Sequence, residues 1–315
     1  MHVLVTGAAG FLGAALANSL VKAGHEVIGL DDLSTSSPNE LSPQVLFTRG
    51  DVNDRPKLWT LLQGVDCVYH LAARVIVPES VLYPTEYNSV NTGGTVNLMT
   101  AVRDAKVKRV VFISSGAIYG NQEAQPVRED AIPHPNSPYA VSKLAAEHYV
   151  KTIGNDAGIE TVCLRVFNAY GPGQQIPPSH TPVIPSFLKQ TQQKGTIVVH
   201  GTGTQTRDYV YLEDVVQAMM SAGRVDGING EVINVGSGIE TSILEIIKLI
   251  TEITGYDPEV IYNPRRGGGV QRMCADITKA KQLLGYEPRF SLREGLQQTV
   301  KLDTRLWGNG HNTNG

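Results

Sequence analysis

Short apolar runs alternate with helix-periodic stretches through the first half of the chain. The runs are Val3-Leu4-Val5, Val27-Ile28-Gly29-Leu30, Val45-Leu46-Phe47, Cys67-Val68-Tyr69-His70-Leu71, Val110-Val111-Phe112-Ile113 and Val162-Cys163-Leu164-Arg165-Val166. They are too short and too evenly apolar for hairpins with one wet face, so they predict strands covered on both faces. Strands of this kind separated by helices form a doubly wound α/β parallel sheet with helices on both sides.

After Phe167 the texture changes to a Gly/Pro-rich connection running from Gly171 to Pro185, stiffened by Pro177, Pro178 and Pro182. This predicts a crossing into a second, smaller α/β unit. Glu231-Val232-Ile233-Asn234-Val235 resembles the earlier strands and is expected to rejoin the main sheet. Ser242 with Glu245, and Ser291 with Glu294, have capping-box spacing and open two further helices. The first carries Ile243, Ile246, Ile247, Ile250 and Ile253 on one face and ends at Gly255. The expected division is 1–167 with 209–236 as the larger unit, 168–208 and 237–307 as the smaller, and 308–315 as a flexible Gly/Asn-rich tail.

Gly7-Ala8-Ala9-Gly10-Phe11-Leu12-Gly13 follows the first strand and opens a helix whose face carries Leu12, Leu16 and Leu20. In this context the first glycine permits a tight turn, the second lets backbone approach a pyrophosphate, and the third lets helix and strand pack closely. The helix N-terminus then faces the negative charge. Asp31 ends the second strand, where a carboxylate accepts from ribose hydroxyls and repels a 2′-phosphate. With no Arg beside it in the sequence, NAD rather than NADP is the expected cofactor. Asp51, in Arg49-Gly50-Asp51-Val52, suits either the adenine edge or an ordinary turn.

With a net charge of -3 the composition offers no basic face for nucleic acid or an anionic membrane, so any anionic substrate must be met by local cations. The three cysteines have no metal or disulfide spacing and read as reduced thiols. No metal is expected. No apolar run reaches the ~20 residues of a membrane span, and the N-terminus enters a strand directly, so a cytoplasmic setting is expected.

Tyr139 and Lys143 lie one helical turn apart after Pro138, which puts both on one face of a helix. A phenol is a poor base at neutral pH unless a neighbouring ammonium favours its ionised form, and this spacing is expected to bring one. Ser114-Ser115 ends the fifth strand, at the carboxyl edge where such sheets bind ligands.

Thr6 to Gly13, His70-Leu71-Ala72-Ala73, Asn91-Thr92-Gly93-Gly94-Thr95, Ser114 to Gly120 and Tyr139 to Lys143 together resemble the extended short-chain dehydrogenase/reductase family. The resemblance extends over nearly the whole chain and implies a Rossmann-like larger unit. It implies Ser115, Tyr139 and Lys143 as the catalytic triad, with Asn91 ordering the site. The expected cofactor contacts are Gly7, Gly10, Phe11, Leu12, Gly13, Asp31, Asp32, Ser34, Asp51, Val52, Leu71, Ala72, Ala73, Asn91, Ser114, Tyr139, Lys143 and Phe167. Arg165 to Pro172 resembles the family segment whose Asn, here Asn168, donates to a substrate diphosphate. Arg207 and Arg266 fall where the family grips that diphosphate, and forked guanidiniums suit phosphate oxygens. Each Arg alone also suits a surface ion pair. Gly267-Gly268-Gly269 replaces the acidic residue usual after the second Arg. Met273 aligns with the position that limits room beside the sugar C2 substituent, and equally suits core packing.

Family dehydratases carry an Asp-Glu pair directly after the catalytic hydroxyl residue, because water elimination needs an extra acid and base. Here Gly116-Ala117 stands there. The resemblance therefore implies 4-epimerisation of a UDP-hexose, UDP-glucose with UDP-galactose, through a 4-keto sugar. UDP-N-acetylglucosamine and UDP-glucuronate are the alternative substrates, and a non-catalytic NAD-sensing regulator is the reading from another class. The family also implies a homodimer.

Overall fold

The computed structural model of the chain describes residues 1–177, 180–263 and 269–307. Seven strands form the central sheet: β1 (His2–Thr6), β2 (Glu26–Asp31), β3 (Leu46–Arg49), β4 (Cys67–His70), β5 (Arg109–Ser115), β6 (Glu160–Val166) and β10 (Glu231–Val235). Their order is β10-β6-β5-β4-β1-β2-β3, with every pair parallel. Each predicted run is a strand of this sheet, β10 included.

Strand periodicity explains how both faces are filled. Val3 and Val5 of β1 pack into one core with Leu16 and Leu20 of the helix Phe11–Lys22 and with Val215 and Met219 of the helix Leu212–Ala222. Leu4, between them, points to the other core, with Leu58, Leu98 and Val150 of the helices Arg55–Leu61, Gly94–Asp104 and Pro138–Ala157. β5 splits likewise, Val111 and Ile113 to the first core and Val110 and Phe112 to the second. β3, at one edge of the sheet, departs from the pattern, and Leu46 is exposed there.

The remaining strands are β7 (Asn168–Tyr170), β8 (Ile197–His200), β9 (Thr206–Tyr211), β11 (Glu240–Ser242) and β12 (Val260–Asn263). They form a three-stranded sheet, β11-β9-β7, and a pair, β12-β8. A third core joins Tyr170, Tyr209 and Tyr211 of these strands to Phe187 and Leu188 of the helix Val183–Gln192 and to Ile243, Ile246 and Ile250 of the helix Ile243–Thr254. Both capping boxes are present, Ser242 with Glu245 and Ser291 with Glu294, and Gly255 closes its helix at φ 69°. The tail from 308 on and Pro178 lie outside the described residues.

Candidate functional site

A cavity of about 680 Å³ opens at the carboxyl ends of the parallel strands, between the large sheet and the third core. Gly7 and Gly10 follow β1 there, Asp31 ends β2, Leu71 to Ala73 follow β4, Ser114 and Ser115 end β5, and Phe167 follows β6. Arg207, Tyr209 and Ile243 face them from the other side.

The glycine loop is shaped by close approach. Gly7 sits at φ 70°, and a β-carbon on it would stand 2.7 Å from the Ala72 backbone nitrogen. A β-carbon on Gly10 would meet nothing nearer than the Gly7 carbonyl oxygen at 3.2 Å, so the space beside it belongs to the cavity. Gly10 is also the N-cap of the helix Phe11–Lys22 and offers no side-chain hydrogen bond, which leaves first-turn N–H groups for an anion.

The Asp31 carboxylate accepts from the Ala9 N–H at 3.0 Å, from the Leu33 N–H at 2.8 Å and from the Ser36 hydroxyl at 2.9 Å. The sheet register sets Arg49 opposite Asp31, a neighbour that sequence distance hides, but Arg49 does not line the cavity. Asp32 accepts from Ser34 and Asp51 from Asn53, and both carboxylates still line the cavity. The Ser114 hydroxyl oxygen is buried in the wall without a hydrogen-bond partner. An orphaned hydroxyl, an open helix N-terminus and a carboxylate at the end of β2 are donors and acceptors of the kind a dinucleotide takes up.

Pro138 at the first turn and Ser137, whose side chain accepts from the Ala140 N–H, start the helix that carries Tyr139 and Lys143. Both residues are buried in the cavity wall. Burial holds the Tyr139 phenol above its ordinary range, and a hydrogen bond with the Ser115 hydroxyl works in the opposite direction. The Lys143 ammonium lies 4.3 Å from the centroid of the Phe112 ring, and burial lowers it to about 7. The helix thus sets a buried phenol and a buried ammonium in one wall, with Ser115 as the group that favours the phenol's ionised form.

Asn91 does not line the cavity. Its side chain accepts from the Arg74 N–H at 2.8 Å and donates to the Arg74 carbonyl at 3.0 Å and to the Ser142 hydroxyl at 2.9 Å. It thus ties the loop after β4 to the helix of Tyr139. Asn168 donates to the Asp208 carbonyl at 3.2 Å. The Arg207 guanidinium donates to the Thr206 carbonyl at 2.7 Å and has no carboxylate partner among the described residues. Met273 is not brought to the cavity: it packs in the first core, because Cys274 and Asp276 pair with Val127 and turn this segment inward. Arg266, Gly267 and Gly268 lie outside the described residues.

The remaining predicted residues, Phe11, Leu12, Gly13, Val52, Leu71, Ala72, Ala73 and Phe167, all line the cavity. Sequence reading missed the wall formed by Arg74 to Pro78, together with Gln174, Gln175 and Gln205. Except for Val77 and Pro78, which open the helix Val77–Leu82, these are loop positions with no periodicity to mark them. The three cysteines are buried free thiols, and no metal-binding cluster is found among the described residues.

A parallel sheet with a glycine loop, an acidic end to its second strand and a Ser, Tyr and Lys in one cleft defines a dinucleotide-binding α/β protein with an oxidoreductase-like site. The model of the NAD dependent epimerase/dehydratase family matches residues 3–236, and the chain belongs to that family. It is 38% identical over 308 residues to the UDP-glucose 4-epimerase of Mycolicibacterium smegmatis, covering 96% of this chain and 98% of the relative. Among solved structures it resembles the UDP-glucose 4-epimerase of Thermotoga maritima with UDP-glucose, at TM-score 0.92, 37% identity and coverage of 96% and 98%. It also resembles the UDP-glucuronic acid 4-epimerase of Bacillus cereus in complex with UDP-glucuronic acid and NAD, at TM-score 0.89, 34% identity and coverage of 98% and 100%.

Proposed function

We propose that the cleft is the active site of an NAD-dependent UDP-hexose 4-epimerase that interconverts UDP-glucose and UDP-galactose. The observation that carries this reading is the meeting of Ser115, Tyr139 and Lys143 with the glycine loop on one side and Arg207 on the other. The unit of the large sheet, expected as 1–167 with 209–236, holds the cofactor and the unit of the third core holds the nucleotide sugar; the boundary differs from that expectation because Tyr209 and Tyr211 pack in the third core, and Met273 and Ala280 in the first. Gly7, Gly10, Gly13, Asp31 and Ser114 are the residues that would hold NAD, which supplies a reversible hydride acceptor when bound. Tyr139 takes the proton of the sugar 4-hydroxyl at its phenol oxygen and returns it to the inverted alcohol. Ser115 hydrogen-bonds the same sugar oxygen, and Lys143 places positive charge beside the site. Asn168 and Arg207 hold the diphosphate while the 4-keto sugar turns over.

Gly116 supports epimerisation over dehydration. No carboxyl group stands there to supply the acid that elimination needs, and a β-carbon on Gly116 would fit tightly, 3.1 Å from the Phe167 ring. A neutral hexose is supported over a uronate because Arg74, in the cavity wall, is already paired with Glu79 at 3.0 Å. The purified protein assayed on UDP-glucose, UDP-N-acetylglucosamine and UDP-glucuronate should convert the first fastest. Turnover confined to either of the others would overturn the assignment of substrate.

A homodimer and a cytoplasmic setting belong to the same proposal. Val141 and Tyr149 are exposed apolar groups on the helix of Tyr139 and Lys143, a face suited to a second copy, and the buried free thiols fit a reducing compartment. No helix among the described residues is long and apolar enough to cross a membrane.

A further inference from the structure

The helix Pro138–Ala157 carries a buried carboxylate eight residues after Tyr139 and four after Lys143, on the same face. This is Glu147. Its oxygens accept from Nη2 of Arg165 at 2.7 Å and from Nε at 3.2 Å, a two-point fork, and both side chains are less than a tenth exposed. Arg165 stands on β6, between two strands of the sheet, in register with Ser114 on β5 and Asn234 on β10. Its Nη1 donates to the Tyr119 hydroxyl at 2.8 Å and to the Glu129 carbonyl at 3.2 Å, and Tyr119 in turn donates to the Asn234 side chain at 2.7 Å. Neither Glu147 nor Arg165 reaches the cavity.

A buried ion pair is a poor source of stability, since apolar residues of similar volume often hold two elements together as well. What a fork adds is geometry. Two parallel hydrogen bonds set the rotation and the axial position of a helix against a strand, where interchangeable methyl groups would let it slide. The strand to which this helix is pinned lies directly beside the one that ends in Ser114 and Ser115.

We infer that Glu147 and Arg165 are positioning residues: their fork sets the helix against the sheet so that the Tyr139 phenol meets the Ser115 hydroxyl at the sugar oxygen. This rests on the epimerase reading above. Glu147→Met with Arg165→Met removes both charges together and keeps the volume, so neither member of the pair is left as a lone buried ion. The double variant should fold, take up NAD and keep its KM for UDP-galactose within about threefold, while kcat falls roughly tenfold or more. Arg165→Lys keeps the charges but not the fork, and should lose kcat with KM unchanged; this variant decides the matter if the double variant does not accumulate. A kcat near wild type in either folded variant would make the pair a packing element and overturn the inference. Wild-type protein assayed beside them separates the two readings: no turnover there overturns the functional reading and this one with it, whereas wild-type turnover with undiminished variants overturns only the positioning role.

Discussion

A β-carbon on Gly13 would stand 1.9 Å from the carbonyl oxygen of Gly7. The helix Phe11–Lys22 and the turn after β1 are therefore in direct backbone contact. A β-carbon on Gly10 would meet the same oxygen only at 3.2 Å, with the cavity beside it. The two glycines should then fail differently. Gly13→Ala is expected to lower folding stability by about 3 kcal/mol, as overpacking against backbone does. Gly10→Ala should change stability little but weaken NAD binding at least tenfold, about 1.4 kcal/mol. Denaturant unfolding and NAD titration of both variants check this, and equal behaviour would contradict it.

The carboxylate of Asp31 is held by Ala9, Leu33 and Ser36 at the end of β2, in the cavity wall, where it would repel a 2′-phosphate. NADP is expected to bind at least tenfold more weakly than NAD. Titration of the nucleotide-free protein with each cofactor measures the ratio. Equal affinities would mean that Asp31 does not face the ribose.

Arg207 has no carboxylate partner among the described residues, and burial lowers its proton affinity, so an anion in the cleft stabilises its charge. Arg207→Ala should weaken UDP-sugar binding by about 1.5–3 kcal/mol, the range for hydrogen bonds to a charged group, with NAD binding intact. Calorimetric titration with UDP-glucose gives the comparison, and unchanged affinity would remove Arg207 from the substrate site.

Burial lowers the Lys143 ammonium from 10.5 to about 7 in the folded chain. Between pH 7 and 10.5 the unfolded chain therefore binds the extra proton, and this residue's contribution to stability rises with pH. Below about pH 7 both states hold the proton and its burial is destabilising in full. Lys143→Met should accordingly stabilise the nucleotide-free protein at pH 7, by about 2–4 kcal/mol, with the advantage shrinking toward pH 10. Urea unfolding at pH 7 and 9.5 tests the sign, and a constant difference would contradict it.

Much of the larger sheet is legible in the sequence because its strands are local apolar runs with buried faces, as in Val3-Leu4-Val5. The glycine loop and the Tyr139–Lys143 spacing are legible for the same reason: each is a contiguous segment whose meaning depends on one turn of chain. What the pattern hides is contact between distant segments. Asn91 reads as a site residue, yet its amide reaches Arg74 and Ser142 and stays out of the cavity. Met273 has a suggestive place in the chain, but pairing of its neighbours with Val127 turns it into the core. The spacing of Tyr139 and Lys143 puts them on one face without saying that the ammonium rests on Phe112. The strands β7 and β11, of three residues each, are too short to show a period of two.

Removal and return of hydrogen at one carbon, with Tyr139 handling only the hydroxyl proton, is the central claim. UDP-glucose labelled with deuterium at C4 and incubated with the protein in ordinary water tests it most directly. The expected product is UDP-galactose that keeps the deuterium at C4, formed by wild-type protein and reduced roughly tenfold or more in Tyr139→Phe, a loss of at least ~1.4 kcal/mol of barrier lowering, with UDP-sugar binding unchanged. UDP-galactose whose C4 deuterium has been replaced from solvent, or a Tyr139→Phe variant as fast as wild type, would contradict it.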